Sequence, residues 1–314
     1  MMQQTAVRRM TMLVAGLALA CSADKVNSPT TGANTQWVVD AITIPTSASA
    51  ANQVAFDLNG DGNPENQLGQ FLAALQNAGG AGLAIQAAMN GGIGSGAIVQ
   101  LISFQSDDAT LAKDAATAAN WYTGQTTAGF TTGAHVINAG IAAGSFVGSL
   151  SAHDYSSKNP ATTSTPVAIT LPIKLFAAGT TINLPLNGVH VQWFFSGTTG
   201  IANGELQGSI RVQDVNNFFI PELAQALNSQ VQSDTASATA RTIEALFDVG
   251  GCAGAVAGDG VINLCEVATS PLMQSLLAPD VHIYDGAGAY KPAATGAPNA
   301  LSVGVGFTAV RTTF

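Results

Sequence analysis

VAITLPIKLFAAGTTINLPLNGVHVQWFFSGTTGIANGELQGSIRV, residues 167–212, alternates apolar and other residues along most of its length. Alternation sends successive side chains to opposite faces of a sheet, so the centre of the chain is expected to be β. Asn187–Gly188 and Asn203–Gly204 are dipeptides that tight hairpins favour, and both are expected as turns. Two segments nearly repeat: Ile169, Leu171, Pro172, Ile173 and Ile182, Leu184, Pro185, Leu186. Proline cannot donate to a ladder, which places both on an edge or beside an irregular neighbour.

Working outward, Leu301, Val303, Val305 and Phe307 alternate strictly and predict a strand near the carboxyl end. Val38, Val39, Ile42 and Ile44 predict a first strand stopped by Pro45, and residues 98–104 another. Helical spacing intervenes. Leu68, Phe71, Leu72 and Leu75 recur at i, i+3, i+4, i+7, a helix ending at Gly79–Gly80. A weaker helix covers residues 83–89, and the glycine-rich run 91–96 is expected to lead into the next strand. Phe218, Phe219, Leu223, Leu227 and Val231 line one face of a helix with Pro221 near its start. A further helix spans 236–247. These elements predict one α+β domain over residues 37–314. It is a mostly antiparallel sheet or sandwich with peripheral helices and calcium-clamped loops.

The stretch DLNGDGNPENQLG, residues 57–69, carries the strongest site signal. Asp57, Asn59 and Asp61 fall at positions 1, 3 and 5 of a calcium loop, with Gly62 at 6, the Asn63 carbonyl at 7 and Glu65 at 9. Calcium needs six to eight oxygens, and only a cation compensates the repulsion of carboxylates held this close. Position 12 is Leu68, which cannot coordinate. A second element, over residues 248–266, is degenerate. Asp259, Gly260, Ile262 and Glu266 match positions 5, 6, 8 and 12, but Ala255 and Ala257 occupy positions 1 and 3. Asp248 is the candidate for a missing oxygen, so Asp248, Asp259 and Glu266 form a candidate second metal set. Cys252 and Cys265 bracket this half-loop.

The first loop's spelling resembles integrin-type propeller repeats and thrombospondin type-3 repeats. Its following helix is more like EF-hand or dockerin modules. Each resemblance covers about 13 residues and implies calcium binding without implying an activity.

At the amino end, Arg8 and Arg9 precede an apolar segment of about 11 residues, too short to span a bilayer. The run Leu17, Ala18, Leu19, Ala20, Cys21 resembles a bacterial lipoprotein signal, which implies lipidation of Cys21 and removal of residues 1–20. Ser22, in place of aspartate, implies the outer membrane in that family. Residues 21–36 read as a flexible tether. The chain has three cysteines. With Cys21 lipidated, Cys252 and Cys265 remain as a pair in an oxidising compartment.

The chain has 10 basic and 19 acidic residues, a net charge of −9. That balance excludes phosphate-backbone recognition, so no nucleic-acid partner is expected. Only 9% of residues are charged, which leaves a neutral-polar surface of the kind exported β-rich proteins carry. Catalytic signals are poor. His135, His153, His190 and His282 lie far apart, Ser145 lacks the glycines of a nucleophile elbow, and Asp107–Asp108 read first as a solvated turn. The whole chain resembles uncharacterised exported lipoproteins of Gram-negative bacteria. The expected function is a calcium-binding envelope lipoprotein that is anchored to the membrane through its lipid. It works as a binding or structural module towards an envelope protein or glycan. The alternatives are an exported hydrolase of polysaccharide or lipid, and an outer-membrane barrel.

Overall fold

Each strand has one apolar face to bury, and the chain solves this by curling its sheet into a ring. A computed structural model describes residues 32–79, 83–126, 134–163, 166–177, 179–251 and 254–314. The strands are β1 (Ala33–Thr43), β2 (Gln100–Ser106), β3 (Lys113–Thr126), β4 (His135–Ile137), β5 (Gly144–Ser151), β6 (Asp154–Ser157), β7 (Ala168–Lys174), β8 (Thr181–Ser196), β9 (Gly200–Arg211) and β10 (Ala300–Arg311). All pairings are antiparallel; nine strands follow the order β2-β1-β10-β9-β8-β6-β5-β3-β4, and β7 pairs β8 off this path. A further pairing of β2 with β3, from Gln100↔Thr123 to Gln105↔Ala118, closes eight of these strands into a barrel. The antiparallel α+β class is as expected. The closure replaces the expected open sheet or sandwich, and local periodicity carries no information about which edges meet.

The barrel is filled. Trp37, Phe104, Trp121, Tyr155, Trp193, Phe195 and Phe307 meet in its lumen, and Phe104 on β2 reaches Phe195 on the opposite wall at 4.9 Å between ring centres. An eight-stranded barrel is just wide enough for side chains to fill, so these rings act as core. Outward positions are mixed, with Val147 on β5 and Val310 on β10 exposed among polar residues. On β5, Phe146 and Leu150 are buried while Ser145, Ser149 and Ser151 are exposed.

The helices are α1 (Ala48–Gln53), α2 (Gln67–Gly79), α3 (Ile85–Gly94), α4 (Ile220–Ser233), α5 (Ala238–Phe247), α6 (Leu264–Thr269) and α7 (Pro271–Leu276). They gather at one end of the barrel. There α3 packs on the end of β1 and on β7, and α2 packs on β10 and α7. Leu68, Phe71, Leu72 and Leu75 of α2 and Leu223 and Leu227 of α4 join the same continuous core as the lumen rings. None of the described helices is long and apolar enough to cross a membrane.

Several local expectations change. Asn187–Gly188 and Asn203–Gly204 are bulges inside unbroken strands. The β8–β9 register slips between Asn187 and His190 and again between Gln192 and Phe194, and Gly188 (φ 60°) and Asn203 (φ 49°) sit where the extra residues fall. A residue tolerant of positive φ serves a bulge as well as a turn. The glycine run continues α3 to Gly94, because Gly92 packs against Ile98 and Lys174. Phe218 is 55% exposed and leaves the expected helix face, since residues 215–219 form a π-turn that breaks the 3.6-residue spacing. Pro271 begins α7. β1 starts at Ala33, inside the expected tether, and residues 33–36 pair with β2. Pro172 lies on β7, which pairs only β8, and Pro185 lies before the β9 ladder begins, so both prolines occupy one-sided positions. Residues 1–20 and Cys21 lie outside the described residues.

Candidate metal centre

The loop at residues 57–65 is pinched shut by a β-bridge in which the Phe56 and Glu65 backbones exchange hydrogen bonds of 3.4 and 3.2 Å. Inside the pinch, carboxylates organise the turn. Asp57 Oδ1 accepts from the N–H groups of Gly60 (2.7 Å) and Asp61 (3.0 Å), and its Oδ2 accepts from Gly62 (2.9 Å), whose φ is 90°. Asp61 Oδ1 accepts from the backbone and side-chain amides of Asn63 at 2.8 and 3.1 Å. Asn59 Oδ1 accepts from Asp61 N at 3.0 Å, so this side chain braces the turn. Leu58 is buried with Val281, Ile283, Tyr284 and Ala300, which seats the loop on the outer wall of the barrel.

The result is three carboxylates, Asp57, Asp61 and Glu65, that each offer a ligand atom within 4.8 Å of the others. Glu65 differs from the other two. Its Oε2 is buried and has no hydrogen-bond partner. Burial, followed by the charges of Asp61, Asp280 and Asp57, pushes its carboxyl up to about 8 from 4.5. A half-buried carboxylate with one oxygen unpartnered and two others beside it is disfavoured as an anion, and a hard cation among all-oxygen donors would answer both problems. Leu68 at position 12 is fully buried core, so no carboxylate completes the loop from that side.

Two residues missed from sequence complete the picture. Asn66 is 1% exposed and uses its whole amide. Nδ2 donates to the carbonyls of Ala51 (3.0 Å) and Gly304 (2.9 Å), while Oδ1 accepts from Gly69 N (3.0 Å) and Gly304 N (2.7 Å). It therefore caps α2 and ties the loop to β10. The approach needs Gly304, where an added Cβ would lie 2.1 Å from the Val54 carbonyl oxygen. Asp280 is held by the Ser302 backbone N–H (2.8 Å) and hydroxyl, and burial raises its carboxyl above the ordinary value. It adds a fourth negative charge near Glu65. No spacing rule links residue 280 to residue 65.

The second loop is organised differently. Asp248 accepts from the N–H groups of Gly258 (2.6 Å) and Gly260 (2.8 Å), and Asp259 Oδ1 accepts from Val261 N (2.8 Å). Glu266 is fully buried, yet Oε1 accepts from Gly250 N (3.2 Å) and Oε2 from Asn263 N (3.1 Å), in a capping box with Asn263 at the start of α6. Asp57, Asp61 and Glu65 are the one carboxylate, histidine or cysteine cluster of metal-binding geometry among the described residues, and this trio is not part of it. Cys252, half of the expected disulfide with Cys265, lies outside the described residues.

Other candidates are committed to the fold. Asp108 accepts from the Thr110 hydroxyl and from the N–H groups of Thr110, Ala112 and Lys113, which hold its carboxyl well below the usual range. His153 and His282 contact the carbonyls of Leu111 (2.8 Å) and Ala297 (2.7 Å). Burial lowers the pKa of His135. His190 stacks beneath Phe56 at 4.0 Å and pairs through Nδ1 with the Ser157 hydroxyl at 2.9 Å, and burial pushes it down to about 4. The chain matches no protein-family model, no curated protein and no solved structure.

Proposed function

We propose that this protein is a calcium-clamped β-barrel that serves as an exported, lipid-anchored binding or structural module of the cell envelope. One observation carries the calcium part. Asp57, Asp61 and Glu65 converge, and the buried Glu65 Oε2 has no partner within the protein. Asp57, Asp61 and Glu65 hold the ion, with the Asn63 carbonyl and water completing six or more oxygens. Affinity is of the extracellular order, about 10⁻⁴–10⁻³ M, because position 12 supplies no ligand. Bound calcium fastens the 54–66 segment to β10 through Asn66 and so steadies the entry into α2.

The anchor is Cys21, read from the signal that precedes it. The barrel's polarity supports attachment through a lipid over insertion of the barrel. A membrane-spanning barrel carries an apolar outer band around a polar interior, whereas here the rings are inside and the outward side chains of β5 are three serines and one valine. Among the described residues, Asp154 and Glu205 share a cleft of about 350 Å³, but Glu205 Oε2 already accepts from the side-chain amides of Gln192 (2.7 Å) and Gln207 (2.8 Å), which favours a binding module over the hydrolase. The test is thermal melting of the purified protein in calcium and in chelator at equal ionic strength, with mass analysis of the cell-derived amino terminus. Coincident melts sink the calcium clamp. An unmodified residue 21 sinks the anchor.

A further inference from the structure

The lumen is packed with rings, so recesses open to solvent lie on the barrel's outer surface. One of them is built around a guanidinium that has no counter-ion. Arg211, the last residue of β9, lines a cleft of about 350 Å³ with Tyr284, Asp285, Gly286, Gly288 and Asn299. Its guanidinium carbon stands 4.4 Å from the centre of the Tyr284 ring. Although acidic residues outnumber basic ones 19 to 10, Arg211 forms no ion pair among the described residues, and its Nε is buried without a partner.

The cleft is rigidly made. Tyr284 is 5% exposed, and its hydroxyl lies beside Arg211 and Ser209 without a well-formed hydrogen bond. Asn299 fixes that segment, because Oδ1 accepts from the N–H groups of Ile283 (3.0 Å) and Tyr284 (3.1 Å) and Nδ2 donates to the Tyr284 carbonyl. Asp285 Oδ1 accepts from Ala287 N and Ala289 N, both at 3.0 Å, which leaves Oδ2 as an acceptor at the rim.

We propose that this cleft binds a carboxylated sugar of the uronic-acid type. The planar guanidinium matches a carboxylate with two parallel hydrogen bonds, and its stacking on Tyr284 holds the fork in place. Asp285 Oδ2 accepts from ring hydroxyls, while the Tyr284 ring serves as the platform under the guanidinium. A neutral sugar leaves Arg211 unpaired. A simple carboxylate leaves Asp285 unused, and a phosphate dianion is repelled more strongly by Asp285 than a single carboxylate is. The volume suits one sugar unit, at the small end of ligand sites.

The cleft contains none of Asp57, Asp61 or Glu65, so the proposal stands apart from the calcium reading. The test is calorimetry and saturation-transfer NMR on the purified protein with sodium glucuronate, sodium galacturonate, glucose and acetate. It is run in chelator and again in calcium, since uronates themselves bind the ion. A uronate should bind about tenfold tighter than glucose or acetate, the difference expected of one charge-assisted pair. Arg211→Lys keeps the charge but loses the fork, and should lose about tenfold of that affinity. Arg211→Gln should erase the preference over glucose. Equal binding of uronate and glucose overturns the proposal, as does wild-type affinity in either variant. Acetate binding as tightly as a uronate overturns the sugar assignment. Melting temperatures of both variants separate loss of the site from loss of the fold.

Discussion

The two acidic loops carry similar spellings and have different internal states. In the loop at residues 248–266, the fully buried Glu266 is satisfied on both oxygens by backbone N–H groups. In the loop at residues 57–65, Glu65 has a buried oxygen with nothing to accept. The first arrangement is complete as protein, because each carboxylate closes a turn that the chain itself presents. The second leaves a carboxylate oxygen without a donor, a need that a bound hard cation would meet. Acidic spacing alone therefore does not separate a metal site from a self-capped loop. What separates them is whether the buried carboxylate oxygens already have donors.

The largest expected effect tests how the first loop is fastened. Asn66→Ala removes four hydrogen bonds to buried backbone groups and should destabilise by about 4 kcal/mol, at about 1 kcal/mol or more for each unsatisfied group. It should also weaken calcium binding although Asn66 is no ligand. Denaturant melts of the variant in calcium and in chelator check both effects. Glu266→Ala should follow at about 3 kcal/mol, since it strands the N–H groups of Gly250 and Asn263. Its loss should be the same with and without calcium. A calcium-dependent loss at Glu266 would break the distinction between the loops.

Removing calcium from the wild type comes next. A ligand bound only by the folded state stabilises by about 2.7 kcal/mol at a hundredfold excess over Kd. In a domain of this size that is a fall in Tm of about 5 °C in chelator. Asp61→Ala should melt like the chelated wild type in either buffer.

These contrasts also mark how far the sequence was readable. β1, β2, the strands between residues 168 and 211, β10, α2 and the clustering of the carboxylates in residues 57–65 were legible because each depends on local spacing, which the chain states directly. Closure of the barrel was not, since it depends on β2 meeting β3 after the other strands have coiled, and on Phe104 finding Phe195 across the lumen. The bulges at Gly188 and Asn203 were read as turns because a positive φ serves both. Asp280 and Gly304 meet the metal loop only through β10. Asn66 sat within the quoted stretch, but its role depends on that same distant strand.

The pH effect is smaller and sharpens the comparison. Glu65 is raised from 4.5 to about 8 in the fold, so the folded state holds its proton more tightly than the unfolded chain does. The stabilisation is present in full below pH 4.5 and is lost as pH rises through 8. Chelated protein should therefore melt lower at pH 8.5 than at pH 5.5, as far as this group is concerned. Glu65→Gln should flatten that slope, and saturating calcium should reverse the sign by favouring the carboxylate. Calcium uptake at pH 7 should release close to one proton, read as a dependence of the binding heat on the buffer's ionisation enthalpy. Equal slopes for wild type and Glu65→Gln would show that Glu65 is not the orphaned group.

The most direct test is a calcium titration of chelator-treated protein by calorimetry, comparing wild type with Glu65→Gln and with Asp259→Asn in the other loop. The account predicts one site of about 10⁻⁴–10⁻³ M in the wild type. Affinity should fall at least about tenfold in Glu65→Gln, as for loss of one charged ligand, and stay unchanged in Asp259→Asn. Absence of calcium heat in the wild type, or a Glu65→Gln curve that overlays it, would contradict the claim that the orphaned carboxylate marks the metal loop.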